Sequence, residues 1–311
     1  MISFIVPIHK WNAVTEKCVQ QIKKQLGKNE LLLVADQCEL PPLDEVRVVQ
    51  TKKRSYAAGS RNFGANIAKH DIFVFIDSDV LVPNNFVAHC EAKYTANQKR
   101  IYCFPMGPEV TNKKTAQFKG MLEWYSTHYV YQKPTDIVQQ LQGYCCVITK
   151  SLYARTGGWI ESRTMELEQY AKHIQQCGID IVLENTVLVR HHNHKGWGLF
   201  TTVFDRSAVW TEYKLKGTVD WDGKHKDPYN AIGSILSFMF WSWLISPIFF
   251  VAWLFVHVII YWRWLTFLHL NNNLFDFVLF TLIHILYLNT ILLGAVKGLV
   301  KSYWFSLTKS L

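Results

Sequence analysis

Ile72-Phe73-Val74-Phe75-Ile76-Asp77-Ser78-Asp79-Val80-Leu81-Val82-Pro83 joins an apolar run to two carboxylates one residue apart. A strand covered on both faces is apolar at both parities, as the strands of a parallel sheet are. Ligands of such sheets collect at the carboxyl edge, and Asp77 and Asp79 stand there. A hard cation such as Mg²⁺ or Mn²⁺ suits that position, because it takes one or two protein carboxylates and completes its shell with substrate phosphate oxygens. The same residues also fit a solvated turn at a strand end, so the surrounding sequence has to decide.

Towards the amino terminus, Ile2 to Ile8 reads as a strand and Thr15 to Leu26 as a helix stopped by Gly27. Leu31 to Ala35 is a second strand, ending in Asp36, and Val46 to Val49 a third. A helix from Ala57 to about Lys69 leads into the strand that ends at Asp77. This alternation predicts an open α/β sheet with a nucleotide at its carboxyl edge. The glycines form neither G-x-G-x-x-G nor a Walker sequence, which disfavours a dinucleotide-dependent hydride transferase and a P-loop ATPase.

The chain carries a formal charge of +9 and has a pI near 9.1. With apolar segments concentrated after residue 230, the expected anionic partner is the phospholipid headgroup rather than nucleic acid, for which no binding signature is present. The seven cysteines lack metal-finger or Cys-x-x-Cys spacing and read as reduced thiols. The amino terminus lacks a positive n-region and a long apolar run, so the catalytic part is expected in the cytoplasm.

Taken together, Pro7 after the first strand, Asp36 after the second, Arg61-Asn62-x-Gly64 on the helix and Asp77-Ser78-Asp79 resemble the family 2 glycosyltransferases of GT-A fold. The likeness continues through Gly143-Tyr144-Cys145-Cys146-Val147-Ile148 and Gly157-Gly158-Trp159-Ile160-Glu161, covering about residues 1 to 195. The resemblance implies a GT-A-type open mixed or parallel sheet flanked by helices and a nucleotide diphosphate sugar donor, UDP-sugar favoured. It implies that the donor is held by Pro7, Asp36, Arg61, Asn62, Asp77, Gly157, Gly158 and Trp159, with Asp36 facing the base. Asp77 and Asp79 match the metal-binding acids, the second usually being the direct ligand. A cation there stabilises the departing diphosphate.

The acceptor side departs from the family pattern. Members usually carry Glu-Asp beyond the Gly-Gly loop, the acid acting as general base. Here Glu166 falls on the Glu and Leu167 on the Asp, leaving Glu166 or Glu168 to accept the proton. Both also suit the first turn of a helix as ordinary favourable carboxylates. Farther on, Ile181 to Val189 reads as a strand running into Arg190-His191-His192-Asn193-His194-Lys195. His192 or His194 is the expected additional metal ligand, while Arg190 and Lys195 are placed to hold diphosphate. A solvated basic loop fits this segment too.

Val203 to Asp227 mixes aromatics with Lys214, Lys216, Lys224 and Lys226, as an interfacial membrane segment does. Pro228 through Trp262 and Phe277 to Val296 contain no charged residue, each long enough for a bilayer core of about 30 Å. The expected organisation is a glycosyltransferase domain over about residues 1–200, an interfacial segment over about 201–230 and a membrane anchor over about 231–311. Its transmembrane helices span about residues 235–262, kinked at Pro247, and about 275–296. Lys297, Lys301 and Lys309 after the second span put both flanks on the cytoplasmic side. The functional expectation is a metal-dependent, inverting sugar transfer to a lipid-linked or envelope-glycan acceptor at the cytoplasmic membrane face. The alternative, prompted by Leu167, is a membrane-tethered nucleotide-sugar-binding protein without turnover.

Overall fold

Ser3–Ile8 (β1) and Glu30–Ala35 (β2) are buried at every position and pair in parallel from Ser3↔Glu30 to Ile8↔Ala35. The computed structural model describes residues 1–108, 113–129, 133–161, 165–192, 196–217 and 235–309. Between the two strands runs Ala13–Lys23 (α1), opened by Asn12, whose side chain accepts from the Val14 and Thr15 amides. Arg47–Gln50 (β3) joins the far side of β2, and Ile72–Ile76 (β4) joins β1. The β1–β4 ladder ends at Ile5↔Phe75, short of Pro7, whose nitrogen has no hydrogen to donate. A buried carboxylate ties this half together: Glu30 accepts from Ser3 Oγ at 2.6 Å, Arg47 Nη1 at 2.9 Å and the Lys69 amide at 2.8 Å.

Beyond β4 the sheet becomes mixed. Cys145–Thr149 (β8) runs antiparallel to β4. Ile101–Cys103 (β6), Ile181–Glu184 (β9) and Thr135–Val138 (β7) complete an eight-stranded sheet of order β3-β2-β1-β4-β8-β6-β9-β7. Side-chain alternation divides the core into two layers. Phe4, Val6 and Val74 face α1 and Phe86–Lys93 (α3), while Ile5, Phe73 and Phe75 face the other side. That side carries Tyr56–Ile67 (α2), Lys150–Thr156 (α5) and Glu166–Gln176 (α6). Gly64 sets the depth of α2, since a Cβ there would lie 2.5 Å from Ile5 Cγ2.

The strand expected from Ile181 to Val189 is two. β9 stops at Glu184, whose carboxylate turns the chain by accepting from the amide and hydroxyl of Thr186, and Arg190–His191 (β10) pairs instead with Val80–Leu81 (β5). These elements belong to one compact unit, Met1–Gly107 with Tyr131–His192.

The second unit comprises Pro108–Val130 and Asn193–Leu311. It contains Lys114–Trp124 (α4) with a π-helical turn Tyr125–Tyr129, Gly198–Leu215 (α7), a 3₁₀ helix Ser237–Leu244, Pro247–Asn271 (α8) and Leu274–Lys309 (α9). Its core joins Phe118, Leu122 and Tyr125 to Trp264, Phe267 and Phe280. The partition into about residues 1–200 and a later anchor therefore misses that α4 shares a core with the carboxyl-terminal helices. Pro247 does not kink the first long helix; it begins it, at a position where the missing N–H costs nothing. The break inside α8 is at Tyr261, with φ −108° and ψ 17°. Within the expected interfacial segment, α7 packs closely on α9. A Cβ on Gly294 or Gly298 would lie 2.3 Å from the carbonyl oxygen of Phe204 or Ala208, and Lys297 and Lys301 pair with Asp205 and Glu212.

Candidate active site

The carboxyl edge of β4 is built from the α2 side. Ala58, Arg61 and Ala65 share the buried face of α2, so the Arg61 guanidinium is carried inward to 2 % exposure rather than onto the helix surface. Its Nη2 donates to Asp77 Oδ1, and its charge lies 4.5 Å from the ring centre of Trp159. The Asp77 amide donates to the Tyr144 carbonyl at 2.8 Å, which fixes where the strand ends. Asp77 Oδ2 receives no hydrogen bond among the described residues.

Two residues on, Asp79 is the more open acid, its side chain 38 % exposed. The β5–β10 pairing brings His191 to it, with Nε2 3.3 Å from Asp79 Oδ1, and the imidazole stacks on Tyr144. His192 reaches Asp79 through its backbone, its amide donating to the Asp79 carbonyl at 2.8 Å. His191, which the sequence reading did not single out, thus brings an imidazole to this acid, and the expected His192 reaches the same residue through its amide. His194 and Lys195 lie outside the described residues. Arg190 precedes this contact on β10 and its side chain is exposed.

Asp36, at the end of β2, closes on the start of α2. Oδ1 accepts from the Ser55 amide at 2.8 Å and Thr51 Oγ1 at 3.0 Å, and Oδ2 accepts from the Tyr56 amide at 2.9 Å. The helix has no side-chain cap of its own, and a carboxylate at its amino end supplies one. Asn62 is a clamp: its amide donates to the Trp159 carbonyl and to Glu161 Oε1, and its oxygen accepts from the Trp159 amide and Tyr153 Oη. It holds the Gly157-Gly158-Trp159 turn against α2. Gly157 ends α5 at φ +69° with nothing near its Hα. Gly158, at φ +81°, is more constrained, because a Cβ would lie 2.7 Å from Tyr153 Oη. Pro7 lies buried in β1.

Glu166 and Glu168 both occupy the first turn of α6 and are half-buried. Leu167 between them packs into the space left by Gly143, where a Cβ would come within 2.1 Å of its Cδ2. Opposite, the Cys18 thiol points at the Asp77 carbonyl from 3.7 Å. Burial, with Asp79 and Asp77 adding to it, pushes that thiol far above its usual range, so it stays protonated and supplies no thiolate.

The carboxylates of Asp77 and Asp79, with the His191 imidazole against the second, are donors of the kind that suit Mg²⁺ or Mn²⁺. Among the described residues no group of three or more His, Cys, Asp or Glu could hold a metal ion, so a cation at the two acids would take the rest of its shell from substrate oxygens.

Residues 3–156 match the family described as Glycosyl transferase family 2, and that range holds β1 through α5 with Asp36, Arg61, Asp77 and Asp79. The chain carries a family 2 glycosyltransferase domain. Glycosyltransferase GlyG of Streptococcus pneumoniae is 31 % identical over 98 residues, 28 % of this chain and 33 % of GlyG, so the chain spans about a third of that curated relative. Among solved structures, the mannosyltransferase PcManGT from Pyrobaculum calidifontis, in complex with GDP-Man and Mn²⁺, has a TM-score of 0.54 at 16 % identity. That match covers 97 % of this chain and 87 % of the other, and it shows a shared fold. The structure of GalNAc-T7 with UDP, GalNAc and Mn²⁺ gives a TM-score of 0.49 at 15 % identity, over 75 % and 50 % of the two chains. The glycosyltransferase match ends at Thr156, immediately before Gly157-Gly158-Trp159 and the α6 carboxylates.

Sequence reasoning missed His191, and it did not give Tyr153 its part in the clamp. Period-two alternation through the β5–β10 pair was the available signal for His191: Val80↔His191 is the pairing next to Asp79.

Proposed function

We propose that this protein transfers a glycosyl unit from a nucleotide diphosphate sugar, with inversion, to a lipid-linked or envelope-glycan acceptor at the cytoplasmic membrane face. The observation that carries the reading is the arrangement at the end of β4, where Arg61 holds Asp77 and the partly exposed Asp79 stands two residues on, in contact with His191. Asp79 and Asp77 would hold the cation, with substrate oxygens completing its shell, and it would supply positive charge against the leaving diphosphate. The chain's own part is preorganisation. Asp36 pins the start of α2, α2 carries Arg61 inward, and Asn62 locks the glycine turn beneath Trp159. Glu166 or Glu168 takes the acceptor hydroxyl's proton as it attacks from the face opposite the diphosphate.

Membrane placement rests on Pro247–Asn271 and Leu274–Trp304, both long and apolar enough to cross. Only 28 % and 44 % of their apolar windows are buried, whereas a core helix of a soluble domain is mostly covered. The complex of the fold neighbour with GDP-Man and Mn²⁺ supports a nucleotide-sugar donor and Mn²⁺ here. The non-catalytic alternative draws on Leu167, which fills the Gly143 pocket where the family has an acid. One experiment separates the two: detergent-solubilised full chain is incubated with a panel of UDP- and GDP-sugars, with Mn²⁺ or with chelator. Cation-dependent release of nucleoside diphosphate supports the transferase. Cation-dependent binding without release from any donor would replace it with the binding protein.

A further inference from the structure

Parallel β3, β2 and β1 release their carboxyl ends along one edge of the sheet. Exposed cations follow there, Lys10 after β1 and Lys52, Lys53 and Arg54 after β3. Of the four non-glycine residues at positive φ among the described residues, Gln37 at 56° and Tyr56 at 55° border the contacts of Asp36. Gln37 Nε2 donates to the Thr51 carbonyl at 2.8 Å, and the Tyr56 amide donates to Asp36 Oδ2 at 2.9 Å. Left-handed backbone disfavours an aromatic residue and persists where the surroundings impose it, as they do at ligand clamps. The bond from the amide needs no particular side chain, and glycine would make it with less strain. Nor does the fold use the ring. It belongs to neither core layer of this unit, is 41 % exposed, and has the Arg54 guanidinium over one face, 5.0 Å from its centre. We propose that Tyr56 is the platform on which the donor's nucleobase stacks, and that Asp36 is a positioning residue that holds this platform without touching the base.

The inference rests on the nucleotide-sugar reading above and adds what recognises the base. Asp36 is 6 % exposed, and its two oxygens already take the Ser55 and Tyr56 amides and the Thr51 hydroxyl, so little of it is left for a base to reach. The placement suits a nucleoside. β2 and β4 flank β1, so Asp36 and Asp77 end strands that lie two spacings, or about 10 Å, apart. Tyr56 precedes Arg61 by five residues, about 7.5 Å along α2. A base on Tyr56 thus leaves room for ribose and phosphate before the acids, whereas the transferred sugar, beyond the diphosphate, lies farther from this ring. Exposed lysines along the edge favour a polyanion. A π-face is what uracil and guanine share, so stacking on a tyrosine accepts either.

The test titrates the full chain in detergent, by calorimetry with Mn²⁺ present, with UDP, with GDP and with ribose 5-diphosphate, which lacks only the base. Tyr56→Ala and Tyr56→Gly both remove the ring, and the second suits the left-handed backbone, so either serves if the other misfolds. The proposal expects both variants to bind UDP and GDP at least about tenfold more weakly, or about 1.4 kcal/mol, with ribose 5-diphosphate within about twofold of wild type. Tyr56→Phe, which keeps the stacking face, should bind all three as wild type does. Asp36→Asn should weaken UDP binding on its own and cost nothing further when combined with Tyr56→Ala, because it acts through that ring. Wild-type affinity for UDP and GDP in the alanine and glycine variants, or an equal loss for ribose 5-diphosphate, overturns the platform. An Asp36→Asn loss as large with Tyr56→Ala as without it overturns the positioning role and returns the base to Asp36. Each of these results leaves the donor reading standing. Failure of all three ligands to bind the wild-type chain contradicts that reading and the proposal together.

Discussion

Replacing Arg61 with leucine removes the cation that organises the end of β4. Loss of one partner from a buried ion pair costs about 3–5 kcal/mol, and the lower end applies because the Asp77 side chain is 30 % exposed and can regain water. The stack on Trp159 adds about 1 kcal/mol. Arg61 Nε and Nη1 have no partners among the described residues, and deleting them recovers about 1 kcal/mol. The net loss is about 3 kcal/mol, and at roughly 2–4 °C per kcal/mol for a unit of this size the melting temperature falls by about 6–12 °C. Calorimetric melting of the full chain in detergent measures it. The Asp77→Asn, Arg61→Leu double variant should lose clearly less than the sum of the single losses, because both remove the same pair. A fall below about 2 °C, or full additivity, would refute the idea that this buried pair holds the site.

At the acceptor side, Glu166→Gln and Glu168→Gln should differ: neighbours two apart on a helix are rotated by about 200°, so one variant loses at least about 10²-fold in turnover and the other little. Equal, modest losses measured at saturating donor would point to another base. At the far end of the sheet, burial alone would raise the Glu30 carboxyl, but hydrogen bonds from the Lys69 amide, Ser3 and Arg47 outweigh it and hold it below the ordinary carboxylate range. The stability this group contributes is complete above the ordinary carboxylate range and is lost as pH falls through the lowered value. Glu30→Gln should therefore flatten the acid limb of melting temperature against pH; an unchanged limb would remove Glu30 from the acid sensitivity.

The strand at Ile72–Ile76 was legible in full, because a central strand is apolar at every position and nothing interrupts its pattern. The edge acids were legible for the same reason, being the first polar residues after it. Arg61 was harder: an arginine reads as surface until Ala58 and Ala65 are seen to lie on its face of α2. The histidine beside Asp79 depended on a two-residue strand pairing, and a shift of one position exchanges His191 for His192. The carboxyl-terminal helices were recognised by their lack of charge, which equally concealed the break before Pro247, since the residues on both sides of it are apolar. The packing of α4 with those helices depends on contacts more than a hundred residues apart, such as Phe118 on Trp264, and no local pattern encodes them.

The most direct test of a cation-dependent donor site is calorimetric titration of nucleotide sugars into the full chain with and without Mn²⁺, for wild type and Asp79→Asn. A panel of UDP- and GDP-sugars identifies the donor first. The account predicts that Mn²⁺ tightens wild-type binding and that Asp79→Asn removes this gain, one charged ligand being lost from a site with few protein ligands, while the fold persists by circular dichroism. Mn²⁺-dependent binding of equal strength in the variant would contradict it.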